Sequence, residues 1–311
     1  MRQVWLDCDP GFDDWLAMLL LSQCPDVRWI GMSVVAGNAP LDVTADNALR
    51  ICELHRWSIP VHTGCSNPLA GRRETAQTVL GSQGMRSSGF ELPATQLNVA
   101  SGDAVAALLA HLHSSELPTT LLAVGPLTNI AQAILQNPLA LLKVEEIVMM
   151  GGSTDRGNHT PAAEFNIYAD PLAASVVLSS GIPIRMFGLN LCRQLLLTQE
   201  HVQAVYALPG QAAQVVGGYL DAYQRIRSSD GSEPMPLYDP AVVLWLHSPD
   251  LFDFTLAPVD VELQGTFTRG MTVCDLKNSA GRHCNVALAM RAQASRAMKL
   301  FMRLMRQALR Q

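Results

Sequence analysis

Short apolar segments alternate with longer helical patterns over the first two thirds of the chain. Six segments have the length and apolar content of strands that are buried on both faces, and they cover residues 3–6, 29–35, 60–63, 119–124, 147–150 and 183–187. Between them, apolar residues recur with helical spacing over residues 13–23, 42–56, 102–114, 128–135 and 172–179. This alternation is typical of βαβ units, and we therefore predict an α/β fold whose central sheet is mostly parallel and flanked by helices.

The rest of the chain continues this organisation without a visible boundary. Helical patterns cover residues 200–206, 211–225 and 241–247, a hairpin is predicted over residues 259–274, and a C-terminal helix has separate apolar and basic faces. No internal repeat or Pro/Ser-rich linker divides the sequence, so we expect a single domain over residues 1–311. The stretch 64–98 is rich in Gly, Ser and other polar residues, which predicts a long mobile loop.

The composition excludes several classes of protein. Of the 311 residues, 49% are hydrophobic and 16% are charged, so the chain is not intrinsically disordered. The formal net charge of -5 gives no overall attraction to nucleic acid or to a membrane surface, and no apolar run is long enough to span a bilayer. Asp7 interrupts the N-terminal apolar segment before it reaches the length of a secretory signal, which predicts a cytoplasmic protein.

The segment that follows the first predicted strand carries four carboxylates within eight residues, those of Asp7, Asp9, Asp13 and Asp14. In α/β sheets, ligands bind at this carboxyl edge of the strands. Helix capping and dipole compensation account for one or two acids, but four close like charges raise one another's pKa unless a cation neutralises them. We therefore predict a metal site, and because no His or Cys set accompanies the acids, calcium or magnesium is favoured over zinc.

The same segment also permits a different reaction. A DxD sequence after the first strand fits phosphotransferases of the haloacid-dehalogenase type, in which the first aspartate attacks phosphorus. Asp7 would be that nucleophile here, and the reaction would depend on magnesium. The usual DxDx[TV] continuation is replaced by Asp-Pro-Gly and a further acidic pair, so the phosphotransferase is the less favoured alternative.

Polar segments also follow the other predicted strands. Asn38 ends the second strand, residues 123–129 read Ala-Val-Gly-Pro-Leu-Thr-Asn, residues 157–166 carry a Gly-Asn loop and Glu-Phe-Asn, and Asp239 opens a later helix. With residues 7–14, which spell the signature DxDPGxDD, their order and spacing resemble the calcium-dependent nucleoside hydrolases, the inosine-uridine-preferring family of N-ribohydrolases.

The resemblance extends over about three quarters of the chain, from Asp7 to Asp239. It implies a Rossmann-like nucleoside hydrolase fold that assembles as a homodimer or homotetramer. The activity it implies is hydrolysis of the N-glycosidic bond of small-molecule ribonucleosides to ribose and free base, in nucleoside salvage. The implied cofactor is Ca²⁺.

The resemblance also implies roles for individual residues. The calcium ligands that it implies are Asp9, Asp14, Asp239 and the main-chain carbonyl of Val124. The residues implied for the sugar are Asp13, Asn38, Met150, Asn158, Glu164 and Asn166, and Phe165, which flanks this motif, is assigned with them to substrate binding. In the implied mechanism, calcium orients a water and lowers its pKa, Asp9 accepts its proton, and anionic and amide groups stabilise the oxocarbenium character of the ribose.

The sequence departs from this family at the positions whose side chains act on the leaving base. Well-studied members carry His before the last calcium ligand, whereas Tyr238 stands here, and Leu80 replaces the His of the family's HGES-type segment. Tyr238 is therefore a catalytic candidate that could donate a hydrogen bond to the base. Tyr223 and Arg225 are near the end of the preceding helix, where related enzymes place groups that meet the base, and either could supply the missing proton or stack on the ring. His159 is a further candidate acid in a loop. The missing histidines leave open a catalytically impaired nucleoside- or ribose-binding protein of the same fold.

Overall fold

Eight strands form one central sheet in the computed structural model, which describes residues 1–310; Gln311, the last residue of the expected domain, lies outside the described residues. Four more strands of the described residues form two small two-stranded sheets. In chain order the twelve strands are β1 (Arg2–Cys8), β2 (Val27–Val34), β3 (Val61–Thr63), β4 (Thr119–Ala123), β5 (Val144–Met150), β6 (Ile184–Phe187), β7 (Leu196–Leu197), β8 (Met235–Pro236), β9 (Phe252–Ala257), β10 (Val259–Val261), β11 (Thr272–Cys274) and β12 (Val286–Ala292). The central sheet has the order β3-β2-β1-β4-β5-β6-β12-β9. Its neighbours are parallel apart from β9, which pairs antiparallel with β12. The predicted mostly parallel sheet is confirmed.

Helices connect the strands as the sequence pattern predicts. They are α1 (Phe12–Leu21), α2 (Leu41–His55), α3 (Gln77–Leu80), α4 (Ala104–Ser114), α5 (Thr128–Gln136), α6 (Phe165–Ala169), α7 (Pro171–Leu178), α8 (Leu189–Cys192), α9 (Gln199–Tyr206), α10 (Gln211–Gln224), α11 (Pro240–His247) and α12 (Ala294–Ala308). The eight helices predicted with bounds all form, with ends within two residues of those predicted. Side-chain caps fix several starts: the Asp103 carboxylate accepts hydrogen bonds from two N–H groups of α4, and Asp170 caps α7.

The two faces of the sheet carry separate buried clusters. On β1, Val4, Leu6 and Cys8 belong to one cluster, and Trp5 belongs to the other. Helices α1, α11 and α12 pack on the first face, and α4, α5 and α7 pack on the second. Because side chains alternate along a strand and both faces are covered, Val4, Trp5 and Leu6 are apolar in succession and show no period-two pattern in the sequence.

The C-terminal part of the sheet contains two strands that the sequence patterns miss. β12 is rich in alanine, a residue that favours helices, and its strand conformation depends on pairing with β6 on one side and β9 on the other. The predicted hairpin over residues 259–274 is confirmed as the antiparallel pair β10 and β11. The predicted C-terminal helix is α12, whose apolar face is buried and whose basic residues are exposed.

The carboxyl ends of four adjacent strands, β2, β1, β4 and β5, lie side by side at one edge of the sheet. Asp9 follows β1, Asn38 follows β2, Val124 follows β4, and β5 ends at Met150. Within residues 64–98, the segment that connects β3 to α4, regular structure is limited to α3. None of the helices in residues 1–310 is long and apolar enough to cross a lipid bilayer.

Candidate active site

A cavity of about 410 Å³ opens at this carboxyl edge, a size within the range of small-molecule sites. Its polar part is lined by the residues predicted for metal and sugar, namely Asp9, Asp13, Asn38, Val124, Met150, Asn158, Glu164, Asn166 and Asp239. Its less polar part is lined by Thr75, Ala76, Thr78, Val79, Leu80, His159, Phe165, Tyr223, Ile226, Met235 and Tyr238. Residues distant in sequence therefore meet in one cavity.

The carboxylate of Asp14 holds the turn between β1 and α1. Its Oδ1 accepts a hydrogen bond from the N–H of Asp9 at 3.0 Å, and its Oδ2 accepts one from the N–H of Gly11 at 3.0 Å. Asp14 lies in the first turn of α1 and is fully buried. These two bonds fold the acidic segment back on itself, so the carboxylates are held close together despite their like charges.

Asp9 lies between two glycines at the ends of neighbouring strands. A Cβ atom at Gly37 would stand 2.1 Å from Asp9 Oδ2, and one at Gly125 would stand 2.7 Å from Oδ1. Oδ2 also accepts a hydrogen bond from the main-chain N–H of Asn38 at 2.6 Å. Any side chain at positions 37 or 125 would displace this carboxylate, which explains why glycine follows both strands.

Three further carboxylates come together beside Asp9. One oxygen from each of Asp13, Asp14 and Asp239 lies within 4.8 Å of the other two. Burial raises the pKa of Asp13 to about 7 and that of Asp14 to about 6, and burial with the nearby Asp13 raises the pKa of Asp239 well above its usual range. No Lys or Arg is among the described residues that line the cavity. This acidic cluster is a possible metal-binding site, since a hard cation would supply the missing countercharge.

Two asparagine amides are oriented by the main chain around this cluster. Asn38 Nδ2 donates to the carbonyl of Asp9 at 2.9 Å and to Asp14 Oδ2 at 3.1 Å. Asn166 Nδ2 donates to the carbonyls of Val124 at 2.9 Å and Met150 at 3.2 Å. Both amide N–H groups of each residue are thereby used. The atom that each asparagine can offer a ligand in the cavity is its acceptor Oδ1, which suits a sugar hydroxyl donor.

Glu164 caps α6 and lines the cavity at the same time. Its carboxylate accepts hydrogen bonds from the N–H groups of Gly152 and Asn166, both at 2.9 Å. Burial raises its pKa to about 7. Asn158 reaches the same helix start, since its Oδ1 accepts a hydrogen bond from the N–H of Phe165 at 3.0 Å. The start of α6 therefore positions the Glu, Phe and Asn side chains of the sugar motif together.

Two tyrosines that the sequence suggested as groups for the base, Tyr223 and Tyr238, line the cavity. Tyr223 is buried, its ring lies 5.1 Å from that of Phe12, and its hydroxyl donates to the carbonyl of Pro236 at 3.2 Å. Burial raises the pKa of both Tyr223 and Tyr238 above the usual range. Both phenols therefore keep their protons at neutral pH and are weak acids.

The structure does not bring Arg225 to this cavity. Its Nε donates to Asp221 Oδ2 at 2.8 Å, one turn earlier on α10, and its Nη1 donates to the carbonyl of Ser229 at 3.0 Å. The guanidinium is thus paired outside the cavity wall. The resemblance suggested both Tyr223 and Arg225 because related enzymes place groups that meet the base near the end of this helix. Positions two apart on a helix point in different directions, and only Tyr223 reaches the cavity.

Asp7 is also outside the cavity. Its Oδ1 accepts hydrogen bonds from Ser33 and, at 2.8 Å, from Asn129 Nδ2, and the residue is only 1% exposed. Burial raises the pKa of Asp7 to about 7. A carboxylate this enclosed has no access to a phosphoryl substrate, so the geometry does not favour the phosphotransferase alternative.

Several lining residues were missed by sequence reasoning. Thr78 and Val79 lie in the short helix α3, Ile226 follows α10, and Met235 begins the two-residue strand β8. They are one small polar and three apolar residues, and nothing in their type or spacing points to ligand binding. They reach the cavity only because the chain folds back over the strand ends.

The comparisons with known proteins agree with this geometry. The family model described as inosine-uridine preferring nucleoside hydrolase matches residues 4–299. A curated relative, pyrimidine-specific ribonucleoside hydrolase RihA of Shewanella sp. (strain MR-4), is 38% identical over 290 residues, which cover 92% of this chain and 91% of the relative.

Solved structures give the same result for the fold. The purine-preferring ribonucleoside hydrolase from Gardnerella vaginalis superposes with a TM-score of 0.91 at 26% identity, covering 99% of both chains. A plant nucleoside hydrolase, PpNRh1, superposes with a TM-score of 0.88 at 27% identity, covering 98% of both chains. The cavity at the carboxyl edge of this sheet thus occurs in a chain that belongs to the inosine-uridine preferring nucleoside hydrolase family, whose members hydrolyse the N-glycosidic bond of ribonucleosides.

Proposed function

We propose that the chain hydrolyses ribonucleosides with a Ca²⁺ ion bound at the acidic cluster and Asp9 as the general base. The observation that carries this proposal is the approach of three carboxylates, from the half-buried Asp13 and the buried Asp14 and Asp239, to within 4.8 Å at a cavity of nucleoside size. Folding brings these like charges together without a Lys or Arg along the described cavity lining, which is unfavourable unless a cation is bound.

The donor atoms around the cluster fit calcium. They are all oxygens: the carboxylates of Asp9, Asp14 and Asp239, with the main-chain carbonyl of Val124 close by in the same cavity. Calcium takes six to eight oxygen ligands, and sugar hydroxyls and water would supply the rest. When bound, the ion would neutralise the carboxylates and polarise the water and the hydroxyls next to it.

The ribose would lie over the polar part of the cavity. The acceptor oxygens of Asn38 and Asn166 are fixed by the amide hydrogen bonds described above, so they are preorganised for the sugar diol, and Asp13 lies beside them. Asn158 and Glu164 would bind the 5′-hydroxyl side. Met150 and Phe165 would contact the apolar surface of the sugar and the base.

The reaction follows from these positions. Asp9 accepts a proton from the water that attacks C1′, and the bond between C1′ and the base nitrogen breaks. The positive charge that develops on the ribose is stabilised by the surrounding carboxylate and amide oxygens more than the neutral substrate is. Burial and the nearby Asp14 raise the pKa of Asp9, so its carboxylate binds a proton more tightly than an exposed aspartate does.

The base would lie against the less polar part of the cavity. Leu80, Val79, Ile226 and Met235 give the less polar part a surface suited to a flat heterocycle. Related proteins are named for opposite preferences, pyrimidine for the Shewanella relative and purine for the Gardnerella structure. The preferred base is therefore to be identified with a panel of nucleoside substrates. We further propose that the protein acts in cytoplasmic nucleoside salvage and assembles as a homodimer or homotetramer.

The test is to incubate the purified protein with pyrimidine, purine and modified ribonucleosides, with calcium or with chelator, and to measure free base and reducing sugar. We expect release of both products, lost with chelator and restored by added calcium. Nucleoside binding without any product would instead identify a catalytically impaired binding protein. Sedimentation of the same preparation measures the oligomeric state.

A further inference from the structure

We propose that His159 is the catalytic residue that protonates the departing base, an inference that rests on the proposed function. His159 is the one imidazole among the described residues that line the cavity. Thr75, Ala76 and Phe165 line the same cavity, and the ring of Phe165 is in contact with the imidazole. The chain has no histidine at positions 80 and 238, and this loop supplies one to the same cavity.

The main chain that carries His159 is held in a fixed turn. The N–H groups of Asn158, His159 and Thr160 all donate to the carbonyl of Ala163 at 3.2 Å, and that of Gly157 donates to the carbonyl of Pro161 at 3.0 Å. Four hydrogen bonds within seven residues leave this loop little freedom. The position of the imidazole is therefore set by the fold before a substrate binds.

An arginine from another element fixes the start of the same loop. Arg193, directly after α8, donates to the carbonyls of Arg156 at 2.8 Å and Gly157 at 3.1 Å. Its Nη1 also pairs with Asp155 Oδ1 at 2.7 Å. This clamp joins the loop to the body of the protein at the residue that precedes Asn158.

Two aromatic side chains of α6 position the ring itself. The imidazole centroid lies 5.5 Å from the ring of Phe165 and 4.4 Å from that of Tyr168. Partial burial of the ring lowers its pKa below the usual value, and the opposing effect of the negative charge of Glu74 is smaller. A lowered pKa makes the protonated imidazole a stronger acid toward a departing base.

The other candidate donors are less suited to this step. The hydroxyl proton of Tyr223 is already donated to the carbonyl of Pro236, and Arg225 is paired with Asp221 outside the cavity. Tyr238 lines the cavity, but burial raises the pKa of its phenol above the usual range, so it gives up a proton poorly. A histidine is the stronger acid at neutral pH.

The proposed step balances as a hydrolysis. The bond between C1′ and the base nitrogen breaks with its electron pair going to the base, and the proton of His159 neutralises the base as it leaves. Water oxygen bonds to C1′, and one water proton passes to Asp9. Exchange with solvent returns a proton to His159 and removes one from Asp9, so the net reaction is nucleoside plus water giving ribose plus free base.

The experiment compares two leaving groups in His159→Gln. The variant keeps a hydrogen-bonding side chain but cannot donate a proton as an acid, and His113→Gln, at an exposed helix position, is the matched control. The substrates are the best nucleoside of the panel and 4-nitrophenyl β-D-ribofuranoside, whose phenolate leaves without protonation. We expect His159→Gln to lower kcat on the nucleoside by about 10²- to 10⁴-fold and to change cleavage of the nitrophenyl riboside by less than about threefold.

Three results would overturn the inference. Equal losses on both substrates would make His159 a structural part of the loop, and unchanged rates on both would give it no role. A wild-type protein that cleaves the nitrophenyl riboside but no nucleoside would show that no acid acts on the base. If the wild-type protein cleaves neither substrate, the proposed function fails and the inference fails with it. If the wild-type protein cleaves nucleosides and His159→Gln shows equal losses or unchanged rates on both substrates, only the role of His159 is rejected.

Discussion

The side-chain amide of Asn166 donates a 2.9 Å hydrogen bond to the main-chain carbonyl of Val124. This bond joins the start of α6 to the carboxyl end of β4, and a second bond from the same amide to Met150 joins it to β5. Asn166 is buried, so these carbonyls depend on it for their hydrogen bonds. One side chain thus aligns a sugar-binding oxygen with the carbonyl that is proposed to hold the cation.

Replacing this amide tests that alignment. We expect Asn166→Ala to lower kcat/KM at least about 100-fold, because it removes a sugar contact and frees the carbonyl of Val124. The free energy of unfolding should fall by about 1–3 kcal/mol, since two buried carbonyls lose a partner. Steady-state kinetics and denaturant unfolding measure the two effects. A variant with wild-type kcat/KM would contradict the assigned role.

Asp9→Asn tests the proposed general base with little change to the fold. The carboxylate is replaced by an amide of the same shape, which cannot accept a proton from water, so kcat should fall by about 10²- to 10⁴-fold. The cation-free variant should be at least as stable as the wild-type protein, because one of the mutually repelling buried carboxylates is neutralised. Full ribose release by this variant would refute the assignment of Asp9, and a Tm in chelator at or above that of the wild-type protein is the control for folding.

The acidic cluster predicts an unusual dependence of stability on pH. Burial raises the pKa of Asp13 and Glu164 to about 7 and that of Asp14 to about 6, whereas these groups titrate near 4 in an unfolded chain. Between about pH 4 and pH 7 the cation-free folded protein therefore holds more protons than the unfolded chain, and the free energy of unfolding falls as the pH rises.

Thermal melting in chelator should accordingly give a lower Tm at about pH 7.5 than at about pH 5.5. Added calcium should raise the Tm most at the higher pH, because the ionised carboxylates bind it. In Asp239→Asn the calcium-induced shift should shrink. A Tm in chelator that rises steadily over this pH range would argue against a cluster of buried, mutually repelling acids.

The sequence predicted the sheet and the polar part of the cavity well for a physical reason. Asp9, Asn38 and Val124 follow buried parallel strands, and such strand ends must meet at one edge whatever the details of the loops. Buried strands and long helices leave strong patterns in the sequence. The ends of the eight helices predicted with bounds therefore agree with the structure to within two residues.

The rest could not be read from the sequence in the same way. β12 is a strand because β6 and β9 pair with it, which local composition does not reveal. Ile226 and Met235 line the cavity through the path of the chain between α10 and β8, and Arg225 turns away to pair with Asp221. The direction in which these side chains point depends on tertiary contacts, because they come from loops, element ends and very short elements that leave no strong pattern in the sequence.

Two variants test whether Tyr238, which lines the cavity, matters more for activity than Arg225, which does not. Tyr238→Phe should lower kcat/KM by up to about tenfold, the value of one neutral hydrogen bond in the cavity. Arg225→Ala should leave kcat/KM within about twofold, because its guanidinium is paired with Asp221 outside the cavity. Kinetics on the same nucleoside measure both. A larger loss in Arg225→Ala than in Tyr238→Phe would show that the arginine reaches the substrate in solution.

The last prediction concerns the anchor of the long connection over residues 64–98. Asp170 Oδ2 accepts hydrogen bonds from the N–H of Leu69 at 2.7 Å and from Thr128 Oγ1 at 2.9 Å, while Oδ1 caps α7 at the N–H of Ala173. One buried carboxylate therefore ties the start of this connection to α5 and α7. The connection goes on to place Thr75 and Leu80 in the cavity wall.

Asp170→Ala leaves these donors without an acceptor, and we expect the free energy of unfolding to fall by about 1–3 kcal/mol. Because the cavity wall loses its anchor, KM should rise more than kcat falls. Limited proteolysis should cut the connection faster in Asp170→Ala than in the wild-type protein. The control is Asp103→Ala, which removes only the cap of α4 at the far end of the connection and should be cut less readily than Asp170→Ala. Equal cleavage of both variants would mean that helix capping, rather than the tether at Leu69, controls the order of this segment.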